Sequence, residues 1–223
     1  DVPIMLQNDA NACALAEWQL GAGKGCRNMI FLTFGTGLGA GLILNGELYS
    51  GTNGMAGEAG HIRLAENGPV GYGKAGSFEG FCSGGGIVQL GQMMAEEALD
   101  REEIPSFCQS KGELFKVNAR TIAEAAEKGD PLALKIYDIV ADRLGQGLAI
   151  LVDLLNPEKI VIGSIFLRQE KLLRPRMEKI LNKESLEQSL SVVEVVPAGL
   201  GEKLGDYAAV SVGLRAYQKK QKG

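Results

Sequence analysis

The feature that most constrains the fold is a succession of three short apolar segments between residues 28 and 49. Residues 28–34 predict a strand, residues 38–44 predict a second strand after a glycine-rich break, and residues 47–49 return after Asn45-Gly46. Asn-Gly between apolar segments is the strongest two-residue hairpin signal, because the favoured turn needs a positive φ at both positions. The chain therefore predicts a sheet that opens with antiparallel strands.

The remainder of the chain alternates between helical and strand patterns. The predicted helices are 83–99, 121–128, 131–155, 166–181 and 204–218, and the predicted strands between them are 159–162 and 192–196. From residue 28 the order is β-β-β-α-β-α-β-α, a hairpin-led section followed by parallel crossovers. This order predicts one α/β domain whose mixed sheet has three leading antiparallel strands and is flanked by helices. A buried strand at residues 3–7 and a helix at residues 10–20 are predicted to precede it.

Glycine is the one residue type whose abundance departs clearly from that of an ordinary protein. It supplies 31 of 223 residues, about twice the usual share. Eighteen of these glycines fall between Gly35 and Gly91, which predicts tight turns, close backbone approach and the first place to look for a ligand. Residues 50–82 are predicted to be irregular, with a short strand possible at residues 61–65.

Composition and charge narrow the class of partner. The chain is 45% hydrophobic and 22% charged, as soluble globular proteins are, and no apolar run reaches the roughly 18 residues of a bilayer crossing. A net charge of −4 argues against nucleic acid as a partner. The four cysteines are widely spaced and the first residues lack a signal-peptide core. We therefore expect reduced thiols in a cytoplasmic protein that binds a small molecule and neither a membrane nor nucleic acid.

Asn8 and Asp9 stand where a predicted strand ends and a predicted helix begins. Either side chain is a preferred helix N-cap, a role that stabilises a helix by about 1 kcal/mol. A carboxylate at the carboxyl end of a strand also lies where open α/β sheets bind ligands, and it can act as a general base toward a hydroxyl. The two interpretations are compatible, and the residues leave both open.

A second candidate site is the glycine-flanked threonine of Gly35-Thr36-Gly37. Such a turn offers backbone N–H groups and a hydroxyl to a phosphate, although it also fits a plain hairpin with small residues for packing. No helix follows the turn directly, which counts against a dinucleotide fold. Glu58, His61 (the only histidine) and Glu79 are further short polar groups suited to fixing sugar hydroxyls, and each also has an ordinary structural or surface interpretation.

Four ordered motifs resemble the ROK family of sugar kinases and repressors. They are Asn8 to Ala12, Thr33 to Gly41, Gly54 to His61, and Leu151 to Gly163. The likeness runs through nearly the whole chain and implies the actin/hexokinase-like (ribonuclease H-like) fold, whose repeating unit opens with three antiparallel strands. It also implies that residues 1–24 are the catalytic-loop strand and helix of an interdomain junction. Residues 25–223 would be the C-terminal ribonuclease H-like domain of a ROK kinase.

The resemblance implies a role for each candidate residue. Asp9 matches the catalytic base, which takes the proton of the sugar hydroxyl that attacks the γ-phosphate of ATP, with Mg²⁺ as the accompanying ion. The residues that match sugar-holding positions are Asn8, Glu58, His61 and Glu79, and those that match ATP-binding positions are Gly35, Thr36, Gly37, Gly163 and Ser164. At Ser164 the family usually has a glycine. The implied partners are a hexose or amino sugar, ATP and a second copy in a homodimer.

Two departures from the family pattern change what we expect of this chain. Family members commonly bind structural zinc through the histidine that matches His61 and three cysteines, but Val70, Tyr72 and Ser77 stand at the cysteine positions. One imidazole cannot supply the four ligands of a structural zinc, so we expect no structural zinc and a His61 that contacts sugar. Zinc found at this loop by metal analysis would refute that expectation.

The second departure concerns the N-terminal half of the family fold. Its Asp-x-Gly-Gly-Thr phosphate motif does not occur in these residues. We therefore expect this chain to be a C-terminal domain whose partner is the missing N-terminal domain, with weak or no kinase turnover in isolation.

The leading hypothesis is an ATP-dependent hexose kinase, glucokinase-like in the broad sense. The alternative is the sugar-binding sensor domain of a ROK transcriptional repressor, whose DNA-binding part would lie upstream. A sensor needs the sugar-holding residues but neither a base nor an ATP site, so Asp9 and the Gly35-Thr36-Gly37 turn favour the kinase. A third hypothesis is an assembly subunit with neither activity. The residues do not distinguish glucose, N-acetylglucosamine, N-acetylmannosamine and fructose as the sugar.

Overall fold

A five-stranded mixed sheet forms the centre of the computed structural model, which describes residues 4–222 and the side chains of residues 4–217. Its strands are β1 (Met29–Phe34), β2 (Leu38–Leu44), β3 (Glu47–Tyr49), β6 (Lys159–Ile162) and β7 (Glu194–Pro197), while β4 (Val70–Gly71) and β5 (Lys74–Ala75) form a separate ribbon. The spatial order is β3-β2-β1-β6-β7. The first three strands are antiparallel, and β1, β6 and β7 are parallel. The predicted α/β architecture with three leading antiparallel strands is confirmed.

Eight α-helices are described. They are α1 (Asp9–Leu20), α2 (Phe78–Phe81), α3 (Gly84–Asp100), α4 (Ala119–Glu127), α5 (Pro131–Leu155), α6 (Ile165–Glu184), α7 (Glu187–Leu190) and α8 (Leu204–Lys222). Short 3₁₀ turns lie at Ala59–His61, Lys111–Lys116 and Gly201–Lys203. The caps explain where the longest helix begins, because Asp130 accepts hydrogen bonds from the first turn of α5 and Pro131 needs no N–H partner there.

Two apolar cores enclose the sheet. On one face α1 and α8 pack against the strands, with Leu15 and Val212 in a cluster with Phe31. On the other face Leu32 lies in a larger cluster with residues of α3, α5 and α6, among them Phe166 of α6. Successive side chains of β1 point to opposite faces, and both faces are covered, which explains why its sequence is almost continuously apolar.

The hairpin between β2 and β3 has the predicted geometry. Asn45 and Gly46 have φ values of 56° and 79°, as the type I′ turn requires at both central positions. α1 packs on the same sheet, and a Cβ at Gly41 of β2 would lie only 2.5 Å from the carbonyl oxygen of Ala10. The domain boundary predicted after residue 24 stays a prediction.

Two predicted strands are wrong. Residues 4–8 form no regular secondary structure, and residue 3 lies outside the described residues. Ile4 and Leu6 are 91% and 94% exposed, because no described strand lies alongside to accept and donate the ladder hydrogen bonds. Residues 61–65 form only an isolated bridge, from Arg63 to Ser77, after the 3₁₀ turn Ala59–His61.

Within residues 4–222, no helix combines the length and the apolar composition that crossing a membrane requires. All four cysteines carry free thiols. Burial is the largest cause that raises the pKa of the Cys13 thiol to about 11, and the neighbouring carboxylates of Asp9 and Glu17 add to it. Since the thiolate is the reactive form, Cys13 is not set up as a nucleophile.

Candidate active site

A polar cleft of about 360 Å³ opens at the carboxyl end of β1. The N-terminus of α1, the β1–β2 turn, the loop that carries Gly57 and the α2 residue Glu79 form its walls. Seven of the ten predicted site residues line this one cleft: Asn8, Asp9, Gly35, Thr36, Gly37, Glu58 and Glu79. The structure thus brings Asp9 and the Gly35-Thr36-Gly37 turn together, although they are far apart in sequence.

Asn8 and Asp9 differ in what their side chains do at the N-terminus of α1. Asn8 is the N-cap of α1, because its Oδ1 accepts hydrogen bonds from the N–H groups of Ala10 at 2.9 Å and Asn11 at 3.4 Å. Asp9 is exposed, and its Oδ1 accepts from the Ala10 N–H at 2.7 Å. Among the described contacts its Oδ2 has no protein partner. Since Asn8 holds the helix end, a carboxylate oxygen of Asp9 remains available to a ligand.

The β1–β2 turn is fastened to the N-terminus of α3. The Gly84 N–H donates to the carbonyl oxygen of Gly35 at 2.7 Å, and the Gly85 N–H donates to that of Thr36 at 3.4 Å. In contrast, the N–H groups of Thr36 and Gly37 find no acceptor in the described part of the chain. Adjacent unpaired N–H groups on a glycine turn suit an anion such as a phosphate.

The glycine cluster predicted close backbone approach, and the loop beside the cleft shows where it occurs. Gly57 has a φ of 97° and accepts a hydrogen bond from the Ala40 N–H at 2.9 Å. A Cβ at Gly57 would fall on the Ala40 carbonyl oxygen, and one at Gly60 would fall on the Leu38 carbonyl oxygen. The loop can therefore lie directly on β2 only with glycine at these positions.

The cleft is rich in oxygen acceptors. Three carboxylates, those of Asp9, Glu58 and Glu79, line it together with the Asn8 amide, and none of the described lining residues is lysine or arginine. Such a set suits a ligand with several hydroxyl groups, which donate hydrogen bonds to carboxylates. A polyphosphate would need an accompanying cation here, because the lining side chains supply no positive charge.

Gly163 and Ser164 lie beside the turn rather than in the lining of the cleft. The Gly163 N–H donates to the Leu32 carbonyl oxygen at 3.0 Å, which fixes the end of β6 against β1. A Cβ at Gly35 would lie 3.5 Å from Oγ of Ser164. A second cleft, of about 570 Å³, opens next to this junction and is lined by Ile165 and residues of α4, α5 and α6.

His61 is not among the residues that line the first cleft. Its exposed ring meets Tyr72 edge-on at 6.2 Å between centroids, and its carbonyl oxygen accepts from Nζ of Lys74 at 2.7 Å. Val70 and Ser77 stand at two of the three positions that the family fills with cysteine. Val70 is exposed, whereas Ser77 is buried and caps α2, where its Oγ accepts from the Gly80 N–H at 3.0 Å. In the described residues no group of three or more His, Cys, Asp or Glu is placed to hold a metal. The expected absence of zinc and the contact of His61 with sugar stay predictions.

Comparison with known proteins decides the family. A sequence model of the ROK family matches residues 1–212. The chain belongs to the ROK family. It is 38% identical to the glucokinase of Halalkalibacterium halodurans over 177 residues, which cover 78% of this chain and 52% of that protein. The chain thus spans about half the length of this relative.

Two solved ROK structures show the same fold. The ROK family glucokinase from Streptomyces griseus, in complex with glucose and AMPPNP, matches with a TM-score of 0.75 and 29% identity over 95% of this chain and 68% of that one. A ROK family transcriptional regulator, a homologue of the E. coli MLC protein, matches with a TM-score of 0.79 and 27% identity over 95% of this chain and 52% of that one. The actin/hexokinase-like fold of ROK sugar kinases, predicted from the motifs, is confirmed.

Sequence reasoning missed one polar residue of the ROK cleft. Thr33 lines it, and its Oγ1 accepts from the Gly39 N–H at 2.8 Å, which joins the two strands behind the turn. The available signal was that Thr33 is the only polar residue of β1.

Proposed function

We propose that this chain is the catalytic C-terminal part of an ATP-dependent hexose kinase, glucokinase-like in its substrate class. The observation that carries the proposal is that the unpaired oxygen of Asp9 and the unpaired N–H groups of Thr36 and Gly37 line one cleft. A sugar hydroxyl beside Asp9 and a phosphate on the turn would then share one space. The likeness to a glucokinase that binds glucose and AMPPNP supports this assignment.

In the proposed reaction the sugar binds through hydroxyls that donate to Asn8, Glu58 and Glu79. Asp9 removes the proton of the attacking hydroxyl as its oxygen bonds to the γ-phosphorus of ATP. The bond from that phosphorus to the β,γ-bridging oxygen breaks, ADP leaves, and the proton remains on Asp9. The Thr36 and Gly37 N–H groups would hold phosphate oxygens, and Gly163 with Ser164 would lie beside the adenosine.

The residues of the cleft fit Mg²⁺ as the accompanying ion, since carboxylate oxygens are the ligands that it prefers and Glu58 and Glu79 supply carboxylates to the lining besides the base Asp9. When bound with ATP, Mg²⁺ supplies positive charge that the lining residues lack. In the proposed reaction this chain's own residues place the hydroxyl and remove its proton.

The likeness to a ROK regulator also fits the sensor of a sugar-responsive repressor, without favouring it. Phosphoryl transfer needs a base and a phosphate site, which the unpaired carboxylate oxygen of Asp9 and the open N–H groups of the turn can supply, whereas a sensor needs only groups that hold the sugar hydroxyls. We further propose, on the family resemblance, an N-terminal domain as partner, a homodimer and a cytoplasmic location. Light scattering coupled to size exclusion tests the dimer.

The test measures ADP formation from ATP and Mg²⁺ with glucose, N-acetylglucosamine, N-acetylmannosamine or fructose. It uses this chain and any longer natural protein that carries it. We expect Asp9→Asn to lower kcat by about 10²–10⁴ with little change in glucose affinity or folding, since Asn8 keeps the cap. Asp206→Asn is the matched control, an exposed aspartate in the first turn of α8.

An Asp9→Asn variant with the kcat of the wild type would show that Asp9 is not the base. An Asp9→Asn variant that loses both glucose binding and turnover would show that Asp9 holds the substrate instead. Sugar binding without any ATP-dependent turnover in the longer protein would favour the sensor.

A further inference from the structure

Glu79 makes a contact that binding a sugar does not require. Its Oε2 accepts a hydrogen bond from the Leu38 N–H at 2.9 Å, directly after the Gly35-Thr36-Gly37 turn. Its Oε1 has no protein partner among the described contacts, and the side chain lines the cleft. One carboxylate therefore faces the turn with one oxygen and has the other oxygen free.

Three glycines from three separate segments make room for this side chain. A Cβ at Gly37 would lie 2.8 Å from Oε2 of Glu79, while a Cβ at Gly60 or Gly71 would lie 3.2 Å or 2.8 Å from its Cβ. Glu79 is thus enclosed at its base by Gly60 and Gly71 and at its tip by the turn. A larger residue at any of these three positions would displace Glu79, so the glycines are what allow its carboxylate to reach the turn.

We propose that Glu79 is a positioning residue for the phosphate turn, and that through it a sugar in the cleft favours nucleotide binding on that turn. This inference rests on the proposed function, because it takes a sugar and a nucleotide as the two ligands.

The turn is held at two points. α3 holds the carbonyl oxygens of Gly35 and Thr36, and Glu79 holds the N–H of Leu38. A sugar hydroxyl that donates to the free oxygen of Glu79 fixes the carboxylate further and with it the Leu38 end of the turn. A nucleotide that binds the already fixed turn loses less conformational freedom, and by linkage it must favour the sugar by the same factor.

The first experiment needs no ligand. In the ¹⁵N-labelled chain we expect the Leu38 amide to exchange slowly with solvent deuterium, because the Glu79 carboxylate accepts its N–H. Glu79→Ala, which removes the acceptor, should speed this exchange. Glu58→Ala is the matched control, because Glu58 lines the same cleft but makes no bond to the turn, and it should leave the Leu38 exchange as in the wild type. Gly37→Ala, which crowds the carboxylate without removing it, should speed the exchange as well.

The second experiment measures the affinity of AMPPNP with Mg²⁺, by calorimetry, without and with saturating glucose. We expect glucose to tighten AMPPNP binding by about fivefold or more in the wild type. The factor should fall close to one in Glu79→Ala, which removes both side-chain oxygens, whereas a glutamine could still accept from the Leu38 N–H. Glu58→Ala should need more glucose for saturation but keep the factor, which a merely structural role of Glu79 would not explain.

Each outcome decides something. A wild type that binds both ligands and a Glu79→Ala variant with an unchanged factor would overturn the coupling while the proposed function stands. A Leu38 amide that exchanges at the same rate in the wild type and in Glu79→Ala would overturn the positioning role. A wild type that binds neither ligand would refute the coupling and count against the proposed function together, and the Leu38 exchange would still decide the positioning role.

Discussion

Replacing Ser164 by glycine should stabilise the protein, because this serine has a backbone conformation that suits glycine. Its φ and ψ are 56° and −109°, and its side chain makes no cap hydrogen bond to α6. A non-glycine residue in so sparsely populated a region costs about 1–3 kcal/mol. Glycine also gives the unfolded chain more conformational freedom, which lowers the free energy of unfolding by about 0.4–1 kcal/mol. We therefore expect Ser164→Gly to raise the free energy of unfolding by about 0.5–2 kcal/mol, or about 2–4 °C in Tm for each kcal/mol.

Urea denaturation, with an unchanged slope on denaturant, measures this difference directly. The matched control is Ser110→Gly, since Ser110 has φ and ψ of −157° and 160° and also lacks a side-chain cap bond. There glycine relieves no strain, and we expect a loss of about 0.4–1 kcal/mol. A Ser164→Gly protein that is no more stable than the wild type would refute the assignment of strain to this position.

Three further changes test the packing and the thiol chemistry. Gly60→Ala places a Cβ on the carbonyl oxygen of Leu38 and should lower the free energy of unfolding by more than about 2 kcal/mol. Its control is Gly205→Ala on α8, where the added Cβ has open space and should raise the free energy of unfolding by up to about 1 kcal/mol. Equal free energies of unfolding for the two variants in urea denaturation would contradict the packing at Gly60. Glu17→Ala leaves three backbone N–H groups without their acceptor, so thermal denaturation should show a loss of about 3 kcal/mol or more. The pKa of Cys13 is raised from 9.0 to about 11 in the folded protein, so the unfolded chain releases the thiol proton at a lower pH. The free energy of unfolding should therefore fall as pH rises from about 9 to about 11. An equally steep fall in Cys13→Ala would contradict this contribution of Cys13.

The elements that could be predicted from the sequence are those with a local cause. Asn45-Gly46 specifies a turn by its own backbone preferences, and β2 and β3 follow from it. Asp130 and Pro131 mark the start of α5 in the same way, and the predicted range of this helix, residues 131–155, is the observed one. Residue type and position were enough to propose the seven residues around the cleft as candidates, but only the family motifs implied that they converge, because neither periodicity nor spacing shows it.

The elements that failed depend on distant partners. Residues 4–8 are apolar enough for a strand, yet a strand exists only where a neighbour completes its hydrogen bonds. α2 is four residues long, too short to show a helical period, although it carries Glu79. The bond from Leu38 to Glu79 spans 41 positions, so no local pattern predicts it.

The most direct test of the central claim is an NMR titration of the ¹⁵N-labelled chain, first with glucose and then with AMPPNP and Mg²⁺. If both ligands occupy adjoining parts of one site, glucose should shift the amide resonances of Asp9 and Glu58. The nucleotide should then shift those of Thr36, Gly37 and Ser164 while glucose stays bound. Resonance changes confined to a distant surface, or displacement of glucose by the nucleotide, would contradict the account.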